Sequence, residues 1–266
     1  MRTALSISII AGILIFSNCT PNNKSNSSAT IPPVVLHIEQ AGSLCDFIAD
    51  SKIKQISSLT LTGNLNFYDA SCVRAMEGLS FLDLSNANIT VDRFMEERCL
   101  DEFLSSNLYS IAIPDNGFFS SNAFKDYHSL RLIEIIVSEN NKLYSFVDGV
   151  LFDKNKTTLI RFLKEGTSSY VIPNCVKEIK NYAFRYSRNL TKLTLPEDIS
   201  KIEDYAFEFC EKLIELHIKN PTPIPLKSYV FDYEVRNNCI LYVPKGSYNA
   251  YWLAPGWGDF KHIVEE

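Results

Sequence analysis

Apolar residues recur along this chain in a short pattern, in which one apolar residue is followed three and five positions later by two more. This LxxLxL pattern occurs in six places, and a weaker seventh copy ends in Leu241 and Val243. The alternation in its last three positions is typical of a β-strand with one buried face. The six copies are Ile56/Leu59/Leu61, Leu79/Leu82/Leu84, Leu108/Ile111/Ile113, Leu130/Ile133/Ile135, Leu190/Leu193/Leu195 and Leu213/Leu216/Leu218.

The later copies recur at a constant spacing. The sequence YAF at residues 182–184, for example, recurs 23 residues later at 205–207. A fixed period of 20 to 29 residues with LxxLxL is typical of a leucine-rich repeat, whose unit supplies one strand and one return segment. One such strand cannot bury its apolar side alone. We therefore expect an α/β repeat solenoid with a period of about 23 residues, in which the strands form a parallel concave sheet.

The strand residues between the leucines are expected to face outward in two columns. The first column would hold Ser58, Phe81, Ser110, Leu132, Lys192 and Glu215, and the second Thr60, Asp83, Ala112, Glu134, Thr194 and His217. Large apolar side chains on an exposed sheet suggest a contact patch. The alternative is that an inserted hairpin or the N-terminal segment covers those side chains. The candidate binding residues are Phe81, Asp83, Leu132, Glu134, Ile136, Lys192, Glu215 and His217.

The return segments carry aromatic residues that can fill the interior opposite the leucines. Phe124, Phe184, Phe207 and Phe231 are the expected members of this set. The earlier return segments, DASCVRAMEGL and VDRFMEERCLDEFLSS, have helical spacing instead.

The repeat spacing breaks between Ile135 and Val171. Within this break, Asp148 and Gly149 separate two apolar runs, which predicts a β-hairpin inserted at about residues 141–165.

The N-terminus reads as an export signal followed by a polar linker. An apolar run from Ala4 to Phe16 is too short for a membrane span and suits a signal peptide over residues 1–18. The sequence FSNC that ends at Cys19 resembles the lipobox of bacterial lipoproteins, in which this cysteine is acylated. The alternative is an ordinary secretory signal with a chance cysteine. Residues 19–35 are expected to form a flexible tether.

The rest of the chain divides in two. Residues 36–244 are expected to form the solenoid. Residues 245–266, which contain both tryptophans and break the period, should form a C-terminal cap, because the last unit would otherwise leave its apolar face in water.

Composition and motifs argue against several classes of function. The 266-residue chain carries a formal charge of −5 and no stripe of Lys or Arg, so nucleic acid is not an expected partner. Its four histidines show no metal-ligand spacing, and no phosphate loop or GxSxG occurs. Its cysteines indicate neither zinc nor a disulfide framework, and leave any pairing open. We expect no cofactor, no metal and no catalysis.

These motifs together resemble one known family. The stretch from Ile172 to Leu213, with its IPxxVxxIxxxAFxxCxxLxxLxLP unit, is similar to the BspA-like leucine-rich repeats of bacterial surface proteins. The resemblance extends over Ala41 to Glu266. It implies a right-handed solenoid, an envelope lipoprotein of a Bacteroidetes-type bacterium, and non-catalytic binding or adhesion.

The expected function is therefore that of a lipid-anchored module that binds a host or microbial protein through its concave face. The alternative is a glycan-binding or structural component of the envelope. The expected location is the outer membrane, facing either the cell surface or the periplasm. That choice stays open because residues 20–24 (TPNNK) lack the acidic residues that often follow the lipidated cysteine in displayed family members.

Overall fold

The computed structural model describes residues 32–91, 99–125, 131–164, 166–227 and 229–266, and the strands in these ranges form three sheets. The first sheet is entirely parallel, in the order β1-β2-β3-β5-β6, with β4 paired to β2. Its strands are β1 (Val34–Ile38), β2 (Ser58–Leu65), β3 (Phe81–Asp83), β4 (Ala87–Ile89), β5 (Ser110–Ile113) and β6 (Glu134–Val137).

The remaining strands follow in chain order. They are β7 (Tyr144–Val147), β8 (Val150–Asp153), β9 (Thr158–Phe162), β10 (Ser169–Val171), β11 (Glu178–Ile179), β12 (Lys192–Leu195), β13 (Lys201–Ile202), β14 (Glu215–Ile218), β15 (Ile240–Val243) and β16 (His262–Glu265). The second sheet is parallel, in the order β10-β12-β14-β15-β16, and the third runs β13-β11-β9-β8-β7.

Short helices fill the connections in the N-terminal half and near the C-terminus. They are α1 (Leu44–Phe47), α2 (Asp50–Ile53), α3 (Phe67–Arg74), α4 (Tyr233–Asn238) and α5 (Tyr248–Leu253), and Asp101–Phe103 forms a 3-10 turn. The predicted helix in DASCVRAMEGL is confirmed as α3. It begins with a capping box, because the Asn66 side chain accepts from the backbone of the first turn and Asp69 accepts from the Asn66 backbone N–H. The second predicted helix falls largely on residues 92–98, outside the described ranges.

A disulfide joins Cys45 of α1 to Cys72 of α3. The same two helices are also linked by the buried Asp69 carboxylate, which accepts from the backbone N–H groups of Gly42 and Leu44. The sequence had left this pairing open. Both linkages fix the N-terminal segment against the first sheet.

The strand register stacks the leucines of successive units, which confirms the central expectation of the repeat analysis. Leu193 pairs with Leu216, and Leu216 pairs with Leu241, and all three side chains are fully buried. In the first sheet, Leu59, Leu82, Ile111 and Ile135 form the equivalent row. The spacing between paired residues is 23 from Lys192 to Glu215 and from Ser58 to Phe81, and 29 from Phe81 to Ser110.

The fourth repeat was assigned two residues too early. Ile111 pairs with Ile135, and Ile113 pairs with Val137, so the unit is Leu132/Ile135/Val137. Leu132 is fully buried in the first hydrophobic core, and the prediction that it faces outward is therefore wrong. The segment LRLIEIIV contains two overlapping LxxLxL frames that differ by two residues, and a shift of two residues leaves the alternation of a strand unchanged.

The aromatic residues of the return segments form one buried stack. The rings of Phe162, Phe184, Phe207 and Phe231 follow one another at centroid distances of 5.0, 5.1 and 4.8 Å. The backbone repeats the same ladder, since the N–H of Phe184 donates to Ala206 O and that of Phe207 donates to Val230 O. Phe124 is also buried, but it packs in the first core beside Phe119.

The inserted hairpin is present, and it is part of a larger antiparallel unit than the sequence predicted. Asp148 and Gly149 both have positive φ, at 51° and 74°, as the two-residue turn between β7 and β8 requires. A third strand, β9, extends this unit into an antiparallel meander and then pairs in parallel with β11. The meander therefore shares the third sheet with β11 and β13, the short strands in the return segments of later repeats.

Residues after β15 complete the second core. Trp257 and Phe260 are fully buried against Phe231, at ring distances of 5.8 and 5.2 Å, and β16 adds a last parallel strand beside β15. The Trp257 indole N–H donates to Ile224 O at 2.8 Å, so its polar atom is satisfied inside the core.

We expect Phe207→Ala to lower the free energy of unfolding by about 3–5 kcal/mol, because it removes a fully buried ring from the middle of the aromatic stack. Denaturant unfolding followed by circular dichroism measures this loss. Phe81→Ala is the matched control. Its ring is only half-buried on an outer sheet face, so its loss should be about 1 kcal/mol. Equal unfolding midpoints for the two variants would contradict the inward stack.

Candidate binding surface

The register defines two outward columns on each parallel sheet. In the first sheet, one column is Ser58, Phe81, Ser110 and Glu134, and the other is Val35, Thr60, Asp83, Ala112 and Ile136. The corrected repeat moves Glu134 from the second column to the first. It also gives Ile136, rather than Glu134, the last place in the second column.

The first column of the first sheet is a mixed polar and aromatic strip. Phe81 is half-buried between two serines, so neither the meander nor the N-terminal strand covers it completely. Ser110 is nearly buried, and its hydroxyl donates to Glu134 Oε2 at 2.8 Å. This bond orients the Glu134 carboxylate along the sheet face. Asp83 accepts from the backbone N–H of Ser85 at 2.9 Å, which is a local turn contact.

The second sheet carries a connected set of charged side chains. Its columns are Ser169, Lys192, Glu215, Ile240, His262 and Val171, Thr194, His217, Tyr242, Val264. Lys192 Nζ lies 2.8 Å from Glu215 Oε2, and the same oxygen lies 3.3 Å from His217 Nε2. The structure therefore brings together Lys192, Glu215 and His217, as the column analysis predicted.

Two further residues join this network, and no sequence pattern had indicated either of them. Glu266, 49 positions after His217, places Oε1 2.8 Å from His217 Nδ1. The Tyr242 ring stacks on the imidazole with centroids 4.3 Å apart and planes 5° apart. His217 is therefore held by a carboxylate at each ring nitrogen and by an aromatic face.

The electrostatics of this network follow from its hydrogen bonds. The bond from Lys192 lowers the pKa of the Glu215 carboxyl below its ordinary value, with a further contribution from His217. The bond to Glu215 in turn raises the pKa of the Lys192 ammonium. Both groups are thus held in their charged forms at neutral pH.

Aliphatic side chains occupy the ends of the second column in both sheets. Val35 is 65% exposed, Ile136 44%, Val171 57% and Val264 44%. Only Ile136 was singled out from the sequence. The other three lie in strands whose LxxLxL signal is weak or lacking, so the repeat pattern could not assign their faces.

Within the described ranges, no group of three or more His, Cys, Asp or Glu side chains is placed to hold a metal ion. Burial raises the pKa of the Cys210 and Cys239 thiols to about 12, which keeps them protonated and poorly nucleophilic. Cys210 is fully buried as a small core residue and donates from Sγ to Phe184 O.

The predicted lipid anchor depends on residues before the described part of the chain. Cys19 lies outside the described residues. No helix in the part of the chain that the structure describes is both long and apolar enough to cross a membrane.

The stacked parallel units and buried leucine rows define a leucine-rich repeat protein. Residues 160–243 match the family described as BspA type leucine rich repeat region, in six copies. The matched residues include the motif from Ile172 to Leu213, on which the predicted resemblance to this family rests. No protein with a curated description matches the chain.

Solved structures of bacterial proteins show weaker overall similarity. A leucine-rich repeat protein from Eubacterium ventriosum has 15% identity and a TM-score of 0.40, with 81% of this chain and 73% of that chain covered. The pneumococcal vaccine antigen PcpA has 16% identity and a TM-score of 0.32, with 79% of each chain covered. A leucine-rich cell surface protein from Faecalibacterium prausnitzii has 11% identity and a TM-score of 0.29, with 93% and 86% covered.

We expect Lys192→Met to raise the pKa of Glu215 toward its ordinary value of 4.5, because the main hydrogen bond to its carboxylate is lost. Carbon-detected NMR titration of the glutamate carboxyls measures the change. Because the pKa of Glu215 is lowered in the folded state, its stabilising contribution is present above the unfolded pKa and is lost as the pH falls through the folded value. Lys212→Met, at an exposed lysine outside the network, is the control, and an identical Glu215 titration in both variants would refute the pairing.

Proposed function

We propose that this protein is a non-catalytic, lipid-anchored component of the cell envelope that binds a protein partner through the outer faces of its first and second sheets. The observation that carries the proposal is the set of exposed aliphatic residues at the ends of the second column, Val35, Ile136, Val171 and Val264. The BspA-type repeat supports it, since repeat solenoids present an extended sheet as their usual binding surface.

The composition of these faces favours a protein partner. The centre of a protein–protein contact is usually apolar and aromatic, and its rim is polar. Phe81 and Ile136 supply apolar area on the first sheet, and Val171 and Tyr242 supply it on the second. The Lys192–Glu215 pair adds fixed charges of both signs. Such charges determine the orientation of a bound partner more than the affinity for it.

An envelope location is supported by two separate features. The Cys45–Cys72 disulfide is typical of an oxidising compartment outside the cytosol. The apolar run before Cys19 has the length of a signal peptide, and Cys19 stands where the lipobox cysteine is acylated. Protease treatment of intact cells distinguishes a solenoid that faces the surface from one that faces the periplasm, because the protease would cleave only a displayed protein.

A glycan partner is the second candidate, and one observation favours it. Tyr248 and Trp252 on α5 are both exposed, and their rings are nearly parallel at 8° with centroids 6.2 Å apart. Flat aromatic faces with polar edges can pack against the apolar face of a sugar ring. This pair lies on α5 and is not part of the columns, so the two candidates predict different sensitive residues.

Mutations on the sheet faces test the protein-binding proposal. We expect Val171→Lys and Ile136→Lys each to raise the Kd for the captured and identified partner about tenfold or more, because a charge replaces an aliphatic side chain in the contact. The partner is first captured with the full chain in detergent and identified by mass spectrometry. Each Kd is then measured by biolayer interferometry.

The control is Ile214→Lys, which places the same charge at an aliphatic residue of similar exposure outside the two columns. Thermal unfolding of all three variants verifies that they fold. If the sheet variants and the control bind alike, the sheet faces are not the contact. If Trp252→Ala alone abolishes binding and the ligand is a glycan, the second candidate replaces the first.

We expect Cys19→Ala to abolish incorporation of labelled palmitate and to release the protein from the membrane fraction, because the lipid is the anchor that the sequence provides. Metabolic labelling and fractionation of the native bacterium measure both effects. Cys175→Ala, at an exposed cysteine of the repeat region, is the control and should keep the label. Labelling that survives Cys19→Ala would contradict the lipoprotein assignment.

A further inference from the structure

Four basic side chains line one cavity between the end of the meander and residues 185–190, in the return segment that follows β11. The cavity has a volume of about 200 Å³, and its lining includes Arg161, Lys164, Thr167, Arg185, Ser187 and Arg188. In sequence, the two pairs of basic residues lie about one repeat apart, so no basic run reveals them. A concentration of cations in a chain of net charge −5 calls for an explanation.

The two inner arginines build the wall of the cavity. Arg161 is 1% exposed, and its guanidinium donates to Tyr182 O and, at 2.9 Å, to Arg185 O. Arg185 lies over the Tyr186 ring, and its Nε is 2.6 Å from Glu208 Oε2. These contacts hold the return segment in place and leave the charge of Arg161 fixed beside the cavity.

The two outer cations have more freedom to meet a ligand. Arg188 is exposed and lies over the Tyr186 ring at 5.2 Å, and no ion pair within the described ranges includes it. Lys164 pairs with Asp148 at 2.6 Å, but the Asp148 side chain is 69% exposed, so solvent weakens the pair and Lys164 can exchange its partner. Thr167 and Ser187 line the same space. Glu165 lies outside the described residues.

The size of the cavity limits what it can hold. Sites for drug-sized molecules occupy roughly 300–1,000 Å³. A smaller, positively lined cavity with hydroxyl donors suits one compact anionic group. Guanidinium groups are well matched to tetrahedral oxyanions, to which they donate two parallel hydrogen bonds.

We propose that this cavity binds a sulfate or phosphate group, either as the free anion or as an ester on a sugar. Arg188 and Lys164 contact the oxyanion directly. Arg161 and Arg185 are positioning residues that hold the return segment. Arg161 also contributes positive potential, whereas Glu208 offsets the charge of Arg185. The site is separate from the sheet faces, so it can be present whether or not those faces bind a protein.

Calorimetric titration of the full chain in mild detergent with sodium sulfate and with sodium phosphate, at ionic strength held constant with sodium chloride, tests the proposal. We expect saturable binding, and a Kd raised about tenfold or more by Arg188→Ala and by Lys164→Ala, because each removes a charge-assisted contact. Arg131→Ala removes an equally exposed arginine outside the cavity and should leave the Kd unchanged.

Equal heats for the wild-type chain and both cavity variants would mean a general salt effect and would overturn the proposal. Glucosamine 6-sulfate and glucosamine, titrated in parallel, separate the two sources of the group. Binding of the sulfated sugar more tightly than inorganic sulfate, with the same dependence on Arg188, identifies an ester. Binding of inorganic sulfate alone identifies a free anion.

Discussion

The structure depends on the lateral pairing of successive units, in which each strand finds its hydrogen-bond partners and its apolar neighbours in the next unit. Leu193, Leu216 and Leu241 are buried only because their strands are in register. The return segments follow the same rule through the aromatic stack that includes Phe184 and Phe207. No unit could bury these residues alone, so stability is shared along the chain and a defect in one unit exposes the surfaces of its neighbours.

The same register determines what the outer faces offer. Once the leucines take alternate positions, the residues between them must lie in columns, and equivalent side chains from different units become neighbours. Lys192 meets Glu215 because each occupies the same place in its unit. His217 and Tyr242 stack for the same reason. A substitution at one column position therefore changes the surface without changing the core.

The sequence predicted the parts of the fold that repeat, and it failed where the repeat is ambiguous or interrupted. The units around Leu193 and Leu216 share the phrase YAF and the same leucine spacing after it, which fix their frame. Leu132 was misplaced because two frames with the same alternation overlap there, and only the partner strand decides between them. The pairing of β9 with β11, the contact of Glu266 with His217, and the convergence of Arg161 with Arg188 all join residues 20 or more positions apart, beyond any local pattern.

The interruption itself organises the molecule. The meander enters where the next strand of the first sheet would be expected, and in the described residues β6 and β10 belong to different sheets. Their exposed residues Ile136 and Val171 therefore stand at the two edges of this break, where no further strand covers them. The last strand of the meander also forms one wall of the basic cavity, against the return segment that follows. A perfectly regular solenoid would have neither the edges nor the cavity, so the features that distinguish this chain from a plain repeat arise where its period fails.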